Sequence, residues 1–135
     1  MNSFSRDVAR SVAKIKRNMR TVVRKSTFGV MAEVLAKSPV DSGRFRGNWQ
    51  PAIGAAPAGA LETVDPSGAA TIAKIEAVTT AMEPGDVAYL ANNLPYGPRL
   101  EEGWSKQAPQ GMVRLSVQGW QPIVDEAVRQ VVGGQ

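Results

Sequence analysis

The chain has 135 residues, of which 43% are apolar, 21% charged and 6% aromatic, enough for one domain with a modest core of Val, Ala, Leu, Ile and Met. With no histidine and no cysteine, it lacks the commonest general base, the two commonest metal ligands, thiolate chemistry and disulfides. No apolar run is long enough to cross a bilayer, and the N-terminal segment carries charges every few residues, so neither a membrane span nor a signal peptide is expected.

The net charge of +4 is unevenly spread. Residues 1–37 hold nine Lys/Arg against Asp7 and Glu33, a net +7, which leaves −3 for the rest. A basic element on a mildly acidic body suits either a polyanion or the acidic face of a neighbouring copy. From Ser5 to Lys37 there is no proline and one glycine, Gly29. Val8, Val12, Ile15, Met19 and Val22 recur at spacings of four and three, the stripe of an amphipathic helix. A helix of about 30 residues is about 45–50 Å long, more than a domain of this size covers. Part of it is therefore expected to pack on another subunit, the alternative being a bent amphipathic helix broken near Ser26–Gly29. Arg10, Lys14, Arg17, Arg20 and Arg24 lie off the stripe, as a solvated face or as contacts to DNA or a neighbour.

Ser38-Pro39-Val40-Asp41-Ser42-Gly43 ends the helix with turn chemistry. In Arg44–Ile53 the alternation of Phe45, Gly47, Trp49, Pro51 and Ile53 with polar residues predicts a strand, Phe45, Trp49 and Ile53 inward. Pro51 marks an edge or bulge. Arg44 and Arg46 on the outer face are solvated or pair with a partner's carboxylates. Residues 54–68 are rich in Pro, Gly and Ala and read as a mobile or partner-ordered loop. A middle helix is expected from Ala69 to about Met82, stopped by Glu83-Pro84-Gly85-Asp86, and a strand over Val87–Ala91. Asn92–Pro98 forms a tight corner, Arg99–Glu102 a short helix closed by Gly103. A last helix runs from Pro109 to about Val132, kinked or split at Pro122, and Gly133-Gly134-Gln135 is a frayed end. Tyr96, Arg99, Glu101 and Trp104 either anchor a neighbour or lock the corner within the subunit.

Catalytic constellations are missing. Glu101 and Glu102 are adjacent and diverge by about 100° on a helix, so they do not form a facing pair. The Gly/Ala stretch lacks the lysine of a phosphate loop, and Ser105-Lys106 lacks the spacing of a serine–lysine dyad. No enzyme activity, cofactor or metal is expected.

Three segments in order carry a resemblance. Pro39-Val40-Asp41-Ser42-Gly43-Arg44-Phe45-Arg46-Gly47-Asn48-Trp49 resembles the P-V-D-T-G-x-x-R-x-x-W element of a family of tailed-phage neck, or tail-completion, proteins, of which the lambda minor tail protein Z is a distant member. Asn92-Asn93-Leu94-Pro95-Tyr96-Gly97-Pro98-Arg99-Leu100-Glu101-Glu102-Gly103 is similar to its N-N-x-P-Y-A-x-x-L-E-x-G, with Gly97 where alanine is usual. Ser105–Val113 is similar to its S-x-Q-A-P-x-G-M-V. The resemblance implies an α+β fold: a long N-terminal helix, a small mostly antiparallel sheet, a middle helix and a C-terminal helix. It also implies a structural virion protein at the head–tail junction, assembled in the host cytoplasm as one subunit of a ring around the DNA channel. Six copies are expected from tail symmetry, twelve being the alternative at the head side. Implied partners are copies of itself, head-closure, tail-terminator or tail-tube proteins, and phage DNA contacted without sequence readout. A closed ring needs two different, complementary patches per subunit, and the charge asymmetry suits that. Arg44, Arg46, Trp49, Tyr96, Arg99, Glu101 and Trp104 are the candidate interface residues; Arg10, Lys14, Arg17, Arg20 and Arg24 are candidates for the channel or an interface. The alternative is a free nucleic-acid-binding protein using the basic helix, which has no interleaved aromatics for base stacking.

Overall fold

The proline-free N-terminal run folds as a single helix, α1 (Ser3–Ala36), in a computed structural model that describes residues 2–133. The Asn2 Oδ1 accepts the Ser5 N–H at 2.7 Å and caps its start, and Ser38-Pro39 follows its end. At 34 residues it is about 51 Å long. The break considered near Ser26–Gly29 does not occur, since α1 is continuous across it. Gly29 serves a close approach instead: a Cβ there would lie 2.6 Å from Ile123 Cγ2 of the C-terminal helix.

The second half of α1 packs on the rest of the chain, burying Met31, Val34 and Leu35. After the Ser38–Gly43 turn the chain forms one helical turn, α2 (Arg44–Gly47), and the strand is only β1 (Trp49–Ile53). This corrects the strand expected from Arg44. Gly43 enters α2 at φ 92°, and its missing Cβ leaves room for Pro66, whose nitrogen would otherwise lie 2.4 Å away. Phe45 and Trp49 are buried as expected, but Ile53, at the far end of β1, is exposed.

β1 pairs antiparallel with β2 (Ala88–Asn92), Trp49 opposite Asn92 and Ile53 opposite Ala88. In this two-stranded ribbon Pro51 is tolerated because each strand has a free edge. Residues 54–68 contain no helix or strand. Their carbonyls accept from Gln50 (Gly59 O, 2.8 Å) and Asn93 (Pro57 O and Gly59 O, both 3.0 Å), and Leu61 pairs with the Asn48 amide through its N–H at 2.7 Å and its carbonyl at 3.1 Å.

The middle helix α3 (Ala69–Thr80) is held at its start by Asp65, whose carboxylate accepts the Thr71 N–H at 2.8 Å and hydroxyl at 2.7 Å. The corner helix is α4 (Gly97–Glu101). The C-terminal segment is two helices, α5 (Val113–Gln118) and α6 (Trp120–Gly133). The split falls at Gly119, not Pro122. Pro122 sits in the first turn of α6, where a missing N–H leaves no intrahelical bond unmade. Nor does Pro109 open a helix, because residues 109–112 stay irregular. Gly134 and Gln135 of the expected frayed end lie outside the described residues. The fold is α+β, and its core gathers Met31, Val34, Leu35, Phe45, Trp49, Ile75, Leu94, Ala108 and Met112.

Candidate assembly surface

The three motif segments converge on one another. Gln107 clamps Val40 in both directions, accepting its N–H at 2.8 Å and donating to its carbonyl at 3.0 Å. Asn92 donates to the Phe45 carbonyl at 2.8 Å, and the Tyr96 ring lies on Phe45 with centroids 6.0 Å apart. Glu101 binds the third segment: one carboxylate oxygen accepts the N–H groups of Met112 (2.9 Å) and Val113 (2.8 Å), the other that of Arg114 (3.0 Å). Those are the free donors at the start of α5, so Glu101 caps that helix from across the corner. Desolvation pushes the Glu101 carboxyl up, but these three N–H groups and the Arg114 charge outweigh it and hold it below its ordinary value. Gly111, at φ 86°, allows the approach: a Cβ there would lie 2.5 Å from the Glu101 carbonyl oxygen.

Several candidate interface residues are thus occupied within the chain. Trp49 is only 5% exposed, and its indole N–H donates to the buried Ser38 hydroxyl at 2.7 Å. Its placement as a surface contact is corrected: it is a core residue. Arg46 donates to the carbonyls of Pro66 (2.9 Å) and Ser38 (3.1 Å). Arg44 is half-buried on α2, its Nε buried without a partner among the described residues. Arg99 and Trp104 remain at the surface; the Arg99 guanidinium lies 5.0 Å from the Trp104 ring centroid, a cation–π pair, and Trp104 is 69% exposed.

The five basic candidates on α1 also divide. Arg20 and Arg24 both reach Glu83, at 2.6 and 3.1 Å, and Arg24 also donates to the Met82 carbonyl at 2.7 Å. They fasten α1 to the end of α3. Among the described residues Arg10 pairs with Asp7 alone, at 3.8 Å on the same helix. Lys14 and Arg17 make no ion pair among the described residues.

The least satisfied part of the molecule is the first half of α1. Residues 2–17 are all exposed, which leaves an arm about 24 Å long at 1.5 Å per residue. The stripe runs along it uncovered, Phe4, Val8, Val12, Ile15 and Met19 all facing solvent. The basic side chains Arg6, Arg10 and Arg17 fall on the opposite side of the helical wheel. A second apolar surface lies on the body, a groove of about 590 Å³ between the second half of α1, the β2 side and α5–α6. Val87, Val113, Val117 and Trp120 line it and are exposed. This groove was not anticipated. Its signal was present, since Val113, Val117, Trp120 and Val124 follow the same four-three-four spacing as the first stripe.

Among the described residues no three His, Cys, Asp or Glu side chains gather as a metal site, and no helix is long and apolar enough to cross a membrane. No family model, curated protein or solved structure matches the chain.

Proposed function

We propose that the chain is a non-enzymatic structural protein of a tailed-phage virion, one subunit of a neck ring that joins tail to head around the DNA channel. Three motifs in order support this reading, as does their mutual contact in one corner, which gives them a common structural reason to occur together. The observation that carries it is the arm. Five large apolar side chains on a helix clear of its own domain cost free energy in water and are covered once another chain packs on them. In this proposal the ring has six copies, assembles in the host cytoplasm and meets head-closure, tail-terminator or tail-tube proteins. Native mass spectrometry of the purified chain, alone and with those partners, tests it. A closed ring that joins a neck or tail partner is expected; a strict monomer that joins none contradicts the reading.

The unpaired Lys14 and Arg17 favour a second reading, duplex binding along the basic side of the arm. A titration of the isolated chain against duplex DNA over a salt series separates the two. Tight binding with a steep salt dependence by a monomer supports the second; weak binding supports the first.

A further inference from the structure

The arm's stripe does not stop where the domain begins. On the helical wheel Ser26 and Val30 fall on the same side as Val8, Val12, Ile15 and Met19, and both line the apolar groove. The exposed stripe and the open groove are therefore one continuous apolar face, helix-backed at one end and walled by Val87, Val113, Val117 and Trp120 at the other. The groove floor also holds the Ser26 hydroxyl, buried and without a hydrogen-bond partner among the described residues.

We infer that the arm of one copy, residues 3–17, lies in the groove of a second copy with its apolar stripe inward. Three observations select that occupant. The arm is the exposed continuation of the unbroken α1 and does not cover its own groove. It is also an uncovered one-sided apolar helix of the kind such a groove accepts. Charge matches too: residues 2–17 carry +4 and residues 38–135 carry −3, and Asp86 lines the groove, where it meets Lys14 or Lys16 beside the incoming stripe. A helix about 24 Å long and 10–12 Å across buries on the order of 1,000 Å² in the two partners together, the lower bound of a specific interface. Because arm and groove are different surfaces, repeating the contact around an axis closes a ring. The inference deepens the ring reading and rests on it for the number of copies.

Two single substitutions test it, Ile15→Glu on the arm and Val117→Glu in the groove. The two positions are 58% and 52% exposed, so both variants are expected to fold, which circular dichroism verifies. By sedimentation velocity each variant alone is expected to lose assembly, a shift of at least 100-fold in the concentration at which it associates. Mixed in equal amounts they restore one good arm and one good groove, so dimers form and grow no further. A ring retained in both variants overturns the inference and leaves the ring reading standing. A parent that stops at a dimer, lost in both variants, upholds arm exchange and removes the ring. A monomeric parent overturns both, and its binding to anionic phosphatidylglycerol vesicles would assign the arm to a lipid surface.

Discussion

In the corner built from residues 38–49 and 92–114, polar groups meet partners a few segments away: Gln107 with Val40, Asn92 with Phe45, Glu101 with the start of α5. Along residues 2–17 of α1 the polar contacts are local, Asn2 to Ser5 and Asp7 to Arg10, and the apolar side chains touch water. Both regions carry apolar and basic residues, yet in one most of the apolar side chains are covered by its own chain and in the other they are not. Motif residues that read as contacts, such as Trp49 and Glu101, fasten segments of the same chain to one another. The longest uncovered apolar stripe lies elsewhere, on the first half of α1, outside all three motifs. The energetic signature of a partner site is the uncovered group.

That contrast makes opposite predictions for substitutions in the two regions. Trp49→Ala removes a core indole and the N–H that the Ser38 hydroxyl accepts, so it should lower unfolding free energy by about 3–5 kcal/mol in chemical denaturation. Glu101→Gln keeps the size but not the charge that accepts three N–H groups, and should cost about 1–3 kcal/mol. Its pH signature is specific. Because the folded carboxyl titrates below its ordinary value, its stabilisation is complete above the ordinary carboxylate range and fades as pH falls through the folded value. Stability of the parent should thus drop across that acid window, while Glu101→Gln flattens the slope. An unchanged slope would remove the capping role. Gly29→Ala gains up to about 1 kcal/mol of helix propensity but forces the Ile123 Cγ2 aside at a cost of about 1–3 kcal/mol; a small net loss in thermal melting is expected, absent when the same substitution is made in an Ile123→Ala background. Glu83→Gln breaks two exposed ion pairs and should change stability by less than about 1 kcal/mol. Ile15→Ala on the arm should leave monomer stability unchanged and weaken assembly alone.

The stripe from Val8 to Val22 was legible because a strict four-three spacing in a proline-free run has one physical reading. So were the strand over Val87–Ala91 and the middle helix, bounded by Gly68 and Pro84, whereas the antiparallel pairing is an expectation of the resemblance alone. The strand expected from Arg44 failed for an identifiable reason: Phe45 and Trp49 are four apart, a separation that puts two residues on one side in both the strand and helix periods. Gly43 in the left-handed region decided for a helical turn, and no local pattern announces that. The start of α5 was equally hidden, since its cap, Glu101, lies twelve residues before Val113. Pro122 in sequence suggests a break, whereas Gly119 ends α5 three residues earlier and turns that proline into a first-turn residue. The groove is hidden in the sequence because Met112 and Leu115, on the covered side, carry a helical apolar pattern of their own, while Val113, Val117 and Trp120 mark the open side.

Hydrogen exchange of the α1 amides, followed by mass spectrometry in dilute monomer and in concentrated assembly, bears most directly on the division between a finished corner and an unfinished arm. Residues 3–17 should exchange near the unprotected rate when dilute and slow by at least about 100-fold on assembly, consistent with a stretch whose local opening costs little until covered, while the corner stays equally protected in both. Full protection of the arm in the monomer, or no change on assembly, would contradict the account.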